Sequence, residues 1–302
     1  MLWHLSSLFC VLFLLLLHAQ PVLCGETVPT SLDLADIFAT YKATGTMKVV
    51  DERPGRTRVW IHNPIRAEQR FAPASTYKIP HTLFALQAGV VRDEFQLFAW
   101  DGVERSFPGW NRDHTLRSAM RYSVAWVYLD IARRIGGQQA KIFLQAISYG
   151  NADSGTGQDP YWLDGPLAIS ASEQIDFLHR LYGNKLPFAL AHQRLVKDIL
   201  LIEADRDWRL RAKTGWNGKT GWWVGWVENE DGPTFFALNI DTPDQMNDLP
   251  YREAIGRRVL CRLQALPTSA CLDAGVLVSS CCAGRLDSFE LLEDAQMPMH
   301  KN

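Results

Sequence analysis

Cysteine is missing from most of this 302-residue chain. Cys10 and Cys24 lie in the N-terminal stretch, and the other four cysteines lie near the C-terminus, at Cys261, Cys271, Cys281 and Cys282. The segment 25–260 contains none. Chemistry carried by that segment therefore cannot use a thiol nucleophile, a disulfide or a thiolate-bound metal.

The chain also lacks the charge pattern of a nucleic-acid-binding protein. It has 31 Lys and Arg against 33 Asp and Glu, a formal net charge of −2 at pH 7, and no basic cluster of the kind that follows phosphates. Internal repeats, low-complexity linkers and a second long apolar run are missing too. These features argue against nucleic acid as a partner, and they favour one large or two small domains, which we expect to be soluble.

The N-terminal stretch is typical of a secretion signal. Its apolar run, from about Leu8 to Leu17, is too short to span a bilayer but has the length of a signal-peptide core. The residues before it include His4 but no Lys or Arg. We expect cleavage after Cys24, or as second choice after Ala19, and hence a signal peptide over 1–24 and a periplasmic protein without a stable membrane anchor.

Strand patterns lie at both ends of the remaining chain, with helical patterns between them. Residues 46–52 and 57–63 predict a hairpin, and the period of two returns from Leu210 in three further runs. Helices are predicted over 80–89, 116–137, 170–183, 192–204 and 251–266. This order predicts an α/β protein of the α+β type: a central antiparallel sheet built from both chain ends, flanked by helices, with a mostly helical subdomain. The catalytic domain is predicted over 25–266, followed by a poorly ordered C-terminal extension over 267–302.

The most informative stretch is PASTYKIP, residues 73–80. Ser75 and Lys78 are three positions apart, so on a helical turn their side chains share a face and can touch. A serine becomes a nucleophile when a base takes its proton, and a lysine can be that base when burial lowers its pKa. Pro80 has no N–H for the carbonyl four residues earlier, which predicts a short 3₁₀ or N-terminal turn around Ser75, with free N–H groups able to bind an oxyanion. Taken alone, S-x-x-K recurs by chance, so the rest of the chain must decide.

Four further segments accompany this turn. They are YSVA at 122–125, YGN at 149–151, KTGW at 213–216, and DLPYREA, which carries Arg252. Each alone has an ordinary structural reading: a capping serine, a turn, an edge-strand lysine and a solvated arginine. Chance does not readily produce all of them in this order, so together they favour a functional site.

Over about residues 36–266 the chain resembles the class D serine β-lactamases, the oxacillinases. The resemblance is carried by PASTYK, YGN, YWLDGPL at 161–167, KTGW and WWVGWVE. It implies a fold like that of penicillin-binding proteins and serine β-lactamases. It also implies hydrolysis of β-lactam antibiotics, of the oxacillin type among the penicillins, and hence resistance, with no metal and no cofactor beyond CO₂.

Catalytic roles follow from the resemblance position by position. Ser75 would attack the β-lactam carbonyl, and Lys78, carboxylated by CO₂, would act as base in acylation and again in hydrolysis of the acyl-enzyme. Ser123 would pass a proton to the leaving nitrogen. The Trp162 indole N–H would stabilise the carbamate, which only a neutral, desolvated amine can form.

Substrate binding is assigned by the same resemblance. Arg252 would bind the substrate carboxylate as a fork, and the backbone N–H groups of Ser75 and Trp216 would form the oxyanion hole. Tyr149 would help to shape the pocket. The full substrate-binding set comprises Lys213, Thr214, Gly215, Trp216, Arg252, Tyr122 and Leu163.

The chain departs from the family at Ala125, where the S-x-V motif has valine. We expect the smaller side chain to loosen the carbamate on Lys78. Two alternatives remain: a sensor domain or a penicillin-binding peptidase, either of which acylates on Ser75 without efficient release. The substrate range among β-lactams and the possibility of a homodimer stay open.

Overall fold

The computed structural model describes residues 33–54, 57–157 and 160–272, and all structural statements refer to these ranges. The predicted signal peptide and most of the predicted C-terminal extension lie outside the described residues.

A six-stranded antiparallel sheet lies at the centre of the protein. Its strands are β1 Gly45–Asp51, β2 Arg58–His62, β5 Leu201–Ala204, β6 Trp208–Trp216, β7 Thr220–Asn229 and β8 Gly232–Asp241. Their order is β2-β1-β8-β7-β6-β5. The first hairpin thus pairs with the last strand, and Val49 of β1 lies opposite Phe236 of β8. The predicted sheet built from both chain ends is confirmed. A separate ribbon joins β3 Leu97–Phe98 to β4 His114–Thr115.

Helices cover both faces of the sheet. Within the described ranges they are α1 Ala35–Thr40, α2 Pro64–Glu68, α3 Lys78–Gln87, α4 Leu116–Arg121, α5 Ala125–Ile135, α6 Gly137–Ala146, α7 Ala171–Tyr182, α8 Leu190–Ile199, α9 Leu249–Arg262 and α10 Ser269–Leu272. The predicted capping box of α7 is present, with the Ser170 hydroxyl accepting from the Glu173 N–H at 3.1 Å.

Strand β7 divides the apolar core into two layers. Side chains alternate across a strand, so Trp222 and Trp226 enter the core that contains α3, α5 and α7. Trp223 enters the opposite core, against α1 and α9. A Cβ at Gly256 of α9 would lie 2.3 Å from the Trp223 ring, so only glycine permits this approach. Both faces of the sheet are therefore buried.

Two predicted helices differ from the structure. The helix expected over 192–204 ends at Ile199, because residues 201–204 pair as an edge strand with β6, where Leu201 lies opposite Arg211. The long helix expected over 116–137 is divided into α4 and α5. Ser123 lies at the break with φ of +57°, at the position where the helical pattern of the sequence is interrupted.

The structure describes the first residues of the predicted extension, up to Leu272. Cys261 of α9 and Cys271 of α10 form a disulfide. Ala270 is buried, and its carbonyl accepts a hydrogen bond from Arg257 at 3.1 Å. The remainder of the extension stays a prediction, as does the boundary at 266.

Candidate active site

Ser75 lies on a 3₁₀ turn, Ala74–Tyr77, directly before α3. The predicted turn is confirmed, although α3 begins at Lys78 rather than Pro80. Ala74 adopts φ of +49°, which is unfavourable for alanine. Its N–H donates to the Trp162 carbonyl at 2.8 Å. That hydrogen bond holds the start of the turn, where N–H groups lack intrahelical partners.

Lys78 and Ser75 are in direct contact. The Lys78 Nζ donates to Ser75 Oγ at 2.8 Å, and Lys78 is only 2% exposed. Burial lowers the pKa of Lys78 well below its ordinary value, and the positive charge of Lys213 lowers it further. The Tyr128 ring lies 5.1 Å from Nζ. A neutral amine beside the hydroxyl is thus accessible, and a neutral amine can take the serine proton.

The contact lies at the base of a cavity of about 240 Å³. The predicted catalytic residues Ser75, Lys78 and Ser123 line it together with Trp162. Seven further predicted positions are also on its wall: Tyr122, Ala125, Leu163, Thr214, Gly215, Trp216 and Arg252. Chain segments far apart in sequence therefore meet around one serine.

Strand β6 reaches the Ser75 turn at Gly215. A Cβ there would lie 2.9 Å from the Pro73 carbonyl oxygen and 3.2 Å from the Thr76 nitrogen. Only glycine allows the two backbones to come this close. The approach places Trp216 near the Ser75 turn, and the Trp216 indole is held by its donation to Thr242 Oγ1 at 3.1 Å.

Arg252 is anchored before any substrate arrives. Its Nε donates to the Leu249 carbonyl and its Nη1 to the Gly215 carbonyl, each at 2.8 Å. Burial lowers its pKa to about 10, partly offset by Glu253. A guanidinium that is buried, still charged at neutral pH and fixed by backbone acceptors is suited to bind a carboxylate.

Lys213 lines a neighbouring cavity, with Arg121, Glu253 and Arg257, rather than the wall around Ser75. Its Nζ donates to the Thr214 carbonyl at 3.0 Å. Burial, and secondarily the charge of Arg252, lower its pKa to about 7. Lys213 therefore affects the Ser75 site electrostatically, because its positive charge lowers the pKa of Lys78.

Tyr149 does not line the cavity of Ser75. It is fully buried, with its ring 5.8 Å from that of Tyr77 and 5.2 Å from that of Phe177. The YGN turn therefore supports the core beneath the Ser75 turn instead of shaping the pocket surface.

Four lining residues were not predicted from the sequence: Phe107, Trp110, Leu129 and Leu249. The Trp110 indole donates to the Tyr122 carbonyl at 2.9 Å, which joins the loop before β4 to the segment that carries Ser123. Phe107 and Trp110 lie in a loop with no helical or strand period. The concentration of aromatic residues in SFPGW is the signal that could have indicated them.

No group of three or more His, Cys, Asp or Glu side chains suited to a metal ion occurs among the described residues. The groups that surround Ser75 instead combine a nucleophile, a buried amine, a second hydroxyl and a fixed guanidinium. This arrangement suits acyl transfer to serine.

Comparison with known proteins agrees with this chemistry. A family model for the penicillin-binding protein transpeptidase domain matches residues 45–261. The chain is 55% identical to β-lactamase OXA-20 of Pseudomonas aeruginosa over 264 residues, 87% of this chain and 97% of that protein. It is 52% identical to β-lactamase OXA-2 of Salmonella typhimurium, over 88% and 97% of the two chains.

Solved structures give the same result. A class D β-lactamase from Nostoc, YbXI, has a TM-score of 0.75 at 37% identity, over 78% of this chain and 100% of that one. FUS-1 (OXA-85), a class D β-lactamase of Fusobacterium nucleatum, has a TM-score of 0.73 at 36% identity, over 77% and 98%. The fold and the family model define a protein with a transpeptidase domain of the penicillin-binding protein type. Within that class, the chain belongs to the class D β-lactamases.

Proposed function

We propose that this chain hydrolyses β-lactam antibiotics, and so confers resistance, through an acyl-enzyme on Ser75 with Lys78 as the base. The observation that carries the assignment is the contact of 2.8 Å between the buried Lys78 Nζ and Ser75 Oγ. Burial disfavours the ammonium form. The neutral amine can therefore add CO₂, and the resulting carbamate accepts the proton of Ser75 as its oxygen attacks the β-lactam carbonyl.

The other groups of the cavity stabilise what forms next. Negative charge develops on the β-lactam carbonyl oxygen as the deprotonated Ser75 attacks. The backbone N–H groups of Ser75 and Trp216 donate hydrogen bonds to this oxyanion. Ser123 relays the proton that carboxylated Lys78 took from Ser75 to the β-lactam nitrogen as the C–N bond breaks. The fixed guanidinium of Arg252 binds the substrate carboxylate, and Thr214 lines the cavity beside it.

The site fits carboxylation of Lys78. A neutral, desolvated amine adds to CO₂ with loss of one proton, and the product needs hydrogen-bond donors in a dry pocket. Trp162 is 2% exposed and lines the same cavity as Lys78. Its ring stacks on that of Tyr77, with 5.5 Å between the ring centroids. The carbamate would supply a base for the water that hydrolyses the acyl-enzyme.

Turnover and covalent labelling test the assignment together. The natural protein should hydrolyse benzylpenicillin catalytically, and the loss of absorbance of the drug measures this turnover. Ser75→Ala should show neither turnover nor a gain in intact mass. Lys78→Ala should acylate slowly and then stall as the acyl-enzyme. Ser269→Ala, which removes an exposed hydroxyl outside the cavity, serves as control and should keep full activity. A Ser75→Ala protein that still gained the mass of the drug would refute the assignment.

The alternative of a sensor or peptidase is not favoured, since the relatives reported above are named as β-lactamases. Such a protein would give one equivalent of acyl-enzyme and then no turnover. The same benzylpenicillin experiment, read as a stoichiometric burst against continued hydrolysis, separates the two.

A periplasmic location and a possible homodimer belong to this proposal. In the described part of the chain no helix has the length and apolar character needed to cross a membrane. Secretion rests on the apolar run at the N-terminus, outside the described residues. Intact mass of the protein purified from periplasm would identify the cleavage site, and light scattering would give the oligomeric state.

A further inference from the structure

His81 is a buried ring next to the catalytic lysine with no role in the mechanism above. It follows Lys78 by three positions on α3, so the two side chains share a face. His81 is 1% exposed. Its ring centroid lies 5.2 Å from Trp162, 5.0 Å from Tyr77 and 5.7 Å from Tyr128.

The His81 Nδ1 makes no hydrogen bond within the described part of the chain. A buried polar atom without a partner is rare and destabilising, and it often indicates a functional site. The phenols around the ring are already engaged with other partners: Tyr128 with the Thr82 hydroxyl and Tyr77 with Tyr161, each at 2.8 Å. The Tyr128 ring that packs against His81 also lies 5.1 Å from Lys78 Nζ, so the amine of Lys78 is close to the imidazole.

His81 is neutral in this environment. Burial, and secondarily the positive charge of Lys78, lower its pKa to about 3. A neutral imidazole carries one N–H donor, whereas the ammonium form of Lys78 offers donors only. Carboxylation of Lys78 replaces its amine with an anion that accepts hydrogen bonds, and the tautomer of His81 that carries its proton on Nδ1 is the one complementary to that anion.

We propose that His81 is a positioning residue for carboxylated Lys78, whose carbamate accepts a hydrogen bond from His81 Nδ1–H, directly or through one bridging water. This inference rests on the proposed function, because it requires the carbamate. The Trp162 indole N–H and His81 would then both donate to the carbamate, and their two rings pack edge to face.

Two substitutions separate this hydrogen bond from simple packing. His81→Phe keeps a ring against Trp162 and Tyr128 but removes the donor. His81→Asn gives up the ring, while its amide N–H₂ stands near the place of Nδ1. Carboxylation is measured on the substrate-free enzyme at fixed pH by titration with ¹³C-labelled bicarbonate, using the carbamate resonance. Circular dichroism and thermal midpoints establish that each variant is folded.

The hydrogen bond and the packing explanation predict opposite results. With the hydrogen bond, His81→Phe should need about tenfold more bicarbonate for half-saturation, as expected for loss of a hydrogen bond to a charged group, and His81→Asn should stay close to the natural protein. Equal half-saturation in His81→Phe and the natural protein would overturn the inference, as would a larger loss in His81→Asn than in His81→Phe.

Failure of the proposed function has a different signature. If the natural protein shows no carbamate resonance at saturating bicarbonate, carboxylation itself is wrong and this inference falls with it. If a variant does not fold, the ¹⁵N-histidine spectrum of the natural protein decides. The Nδ1–H resonance of His81 should move with the same half-saturation as the carbamate, and an unchanged resonance would refute the hydrogen bond.

Discussion

Replacing Gly215 with alanine should displace the Ser75 turn from β6. The added Cβ would lie 2.9 Å from the Pro73 carbonyl oxygen and 3.2 Å from the Thr76 nitrogen. Both atoms belong to backbone, so neither can rotate away as a side chain would. Overpacking of this kind costs about 1–3 kcal/mol in the free energy of unfolding. The strain is relieved by moving the turn, and a displacement of about 1 Å in a catalytic group lowers the rate roughly 100-fold.

We therefore expect kcat/KM for benzylpenicillin to fall by about 10- to 100-fold, with a lower thermal midpoint. Gly109→Ala is the matched control. It adds the same methyl group near the site, but its Cβ would lie 3.7 Å from the Tyr122 ring, an ordinary contact. Steady-state hydrolysis and thermal unfolding are measured for both variants. If Gly215→Ala keeps the natural kcat/KM and midpoint, the close approach of β6 to the Ser75 turn does not hold the nucleophile in place.

Three further predictions follow from the surroundings of the site. Ala125 lines the cavity of Lys78, so Ala125→Val should lower the bicarbonate needed for full turnover in degassed buffer; superimposed bicarbonate curves would show that the smaller side chain does not loosen the carbamate. Folding lowers the pKa of Lys213 from 10.5 to about 7. The unfolded chain therefore binds more protons than the folded one between these two pH values, and the free energy of unfolding should rise with pH across that window. Lys213→Met should flatten the corresponding rise in thermal midpoint, and an unchanged slope in this variant would contradict the prediction. Cys271→Ala should lower the free energy of unfolding by about 2 kcal/mol without changing kcat/KM, and a reducing agent should reproduce the loss in the natural protein but not in the variant.

The disulfide also changes what truncation should do. A poorly ordered extension over 267–302 predicts that removal of everything after Pro267 leaves stability unchanged. The structure shows a buried Ala270 and a disulfide beyond that point. A chain that ends after Leu272 should keep the natural midpoint, whereas one that ends after Pro267 should unfold at lower temperature with the same catalytic parameters.

Local sequence was sufficient wherever a short-range rule determines the structure. The spacing of Ser75 and Lys78 places both on one turn, and Pro80 predicts the irregular start of α3. The period of two from Leu210 onward predicted β6, β7 and β8. The fold of the family and the identity of most lining residues followed from the motifs, because these segments carry the resemblance.

Tertiary structure decided the properties that depend on distant neighbours. Residues 201–204 form strand β5 because they pair with β6. Their own sequence pattern continues that of the preceding helix and does not predict a strand. Leu129 joins the cavity from a helix whose sequence carries no signal for it. The reactivity of Lys78 is the clearest case: its pKa is lowered by burial and by the charge of Lys213, which is 135 positions away in the chain (213 − 78). Sequence thus determined which residues carry the chemistry, whereas the folded arrangement determined their protonation, because desolvation and electrostatic fields act through space and depend on groups that local spacing does not bring together.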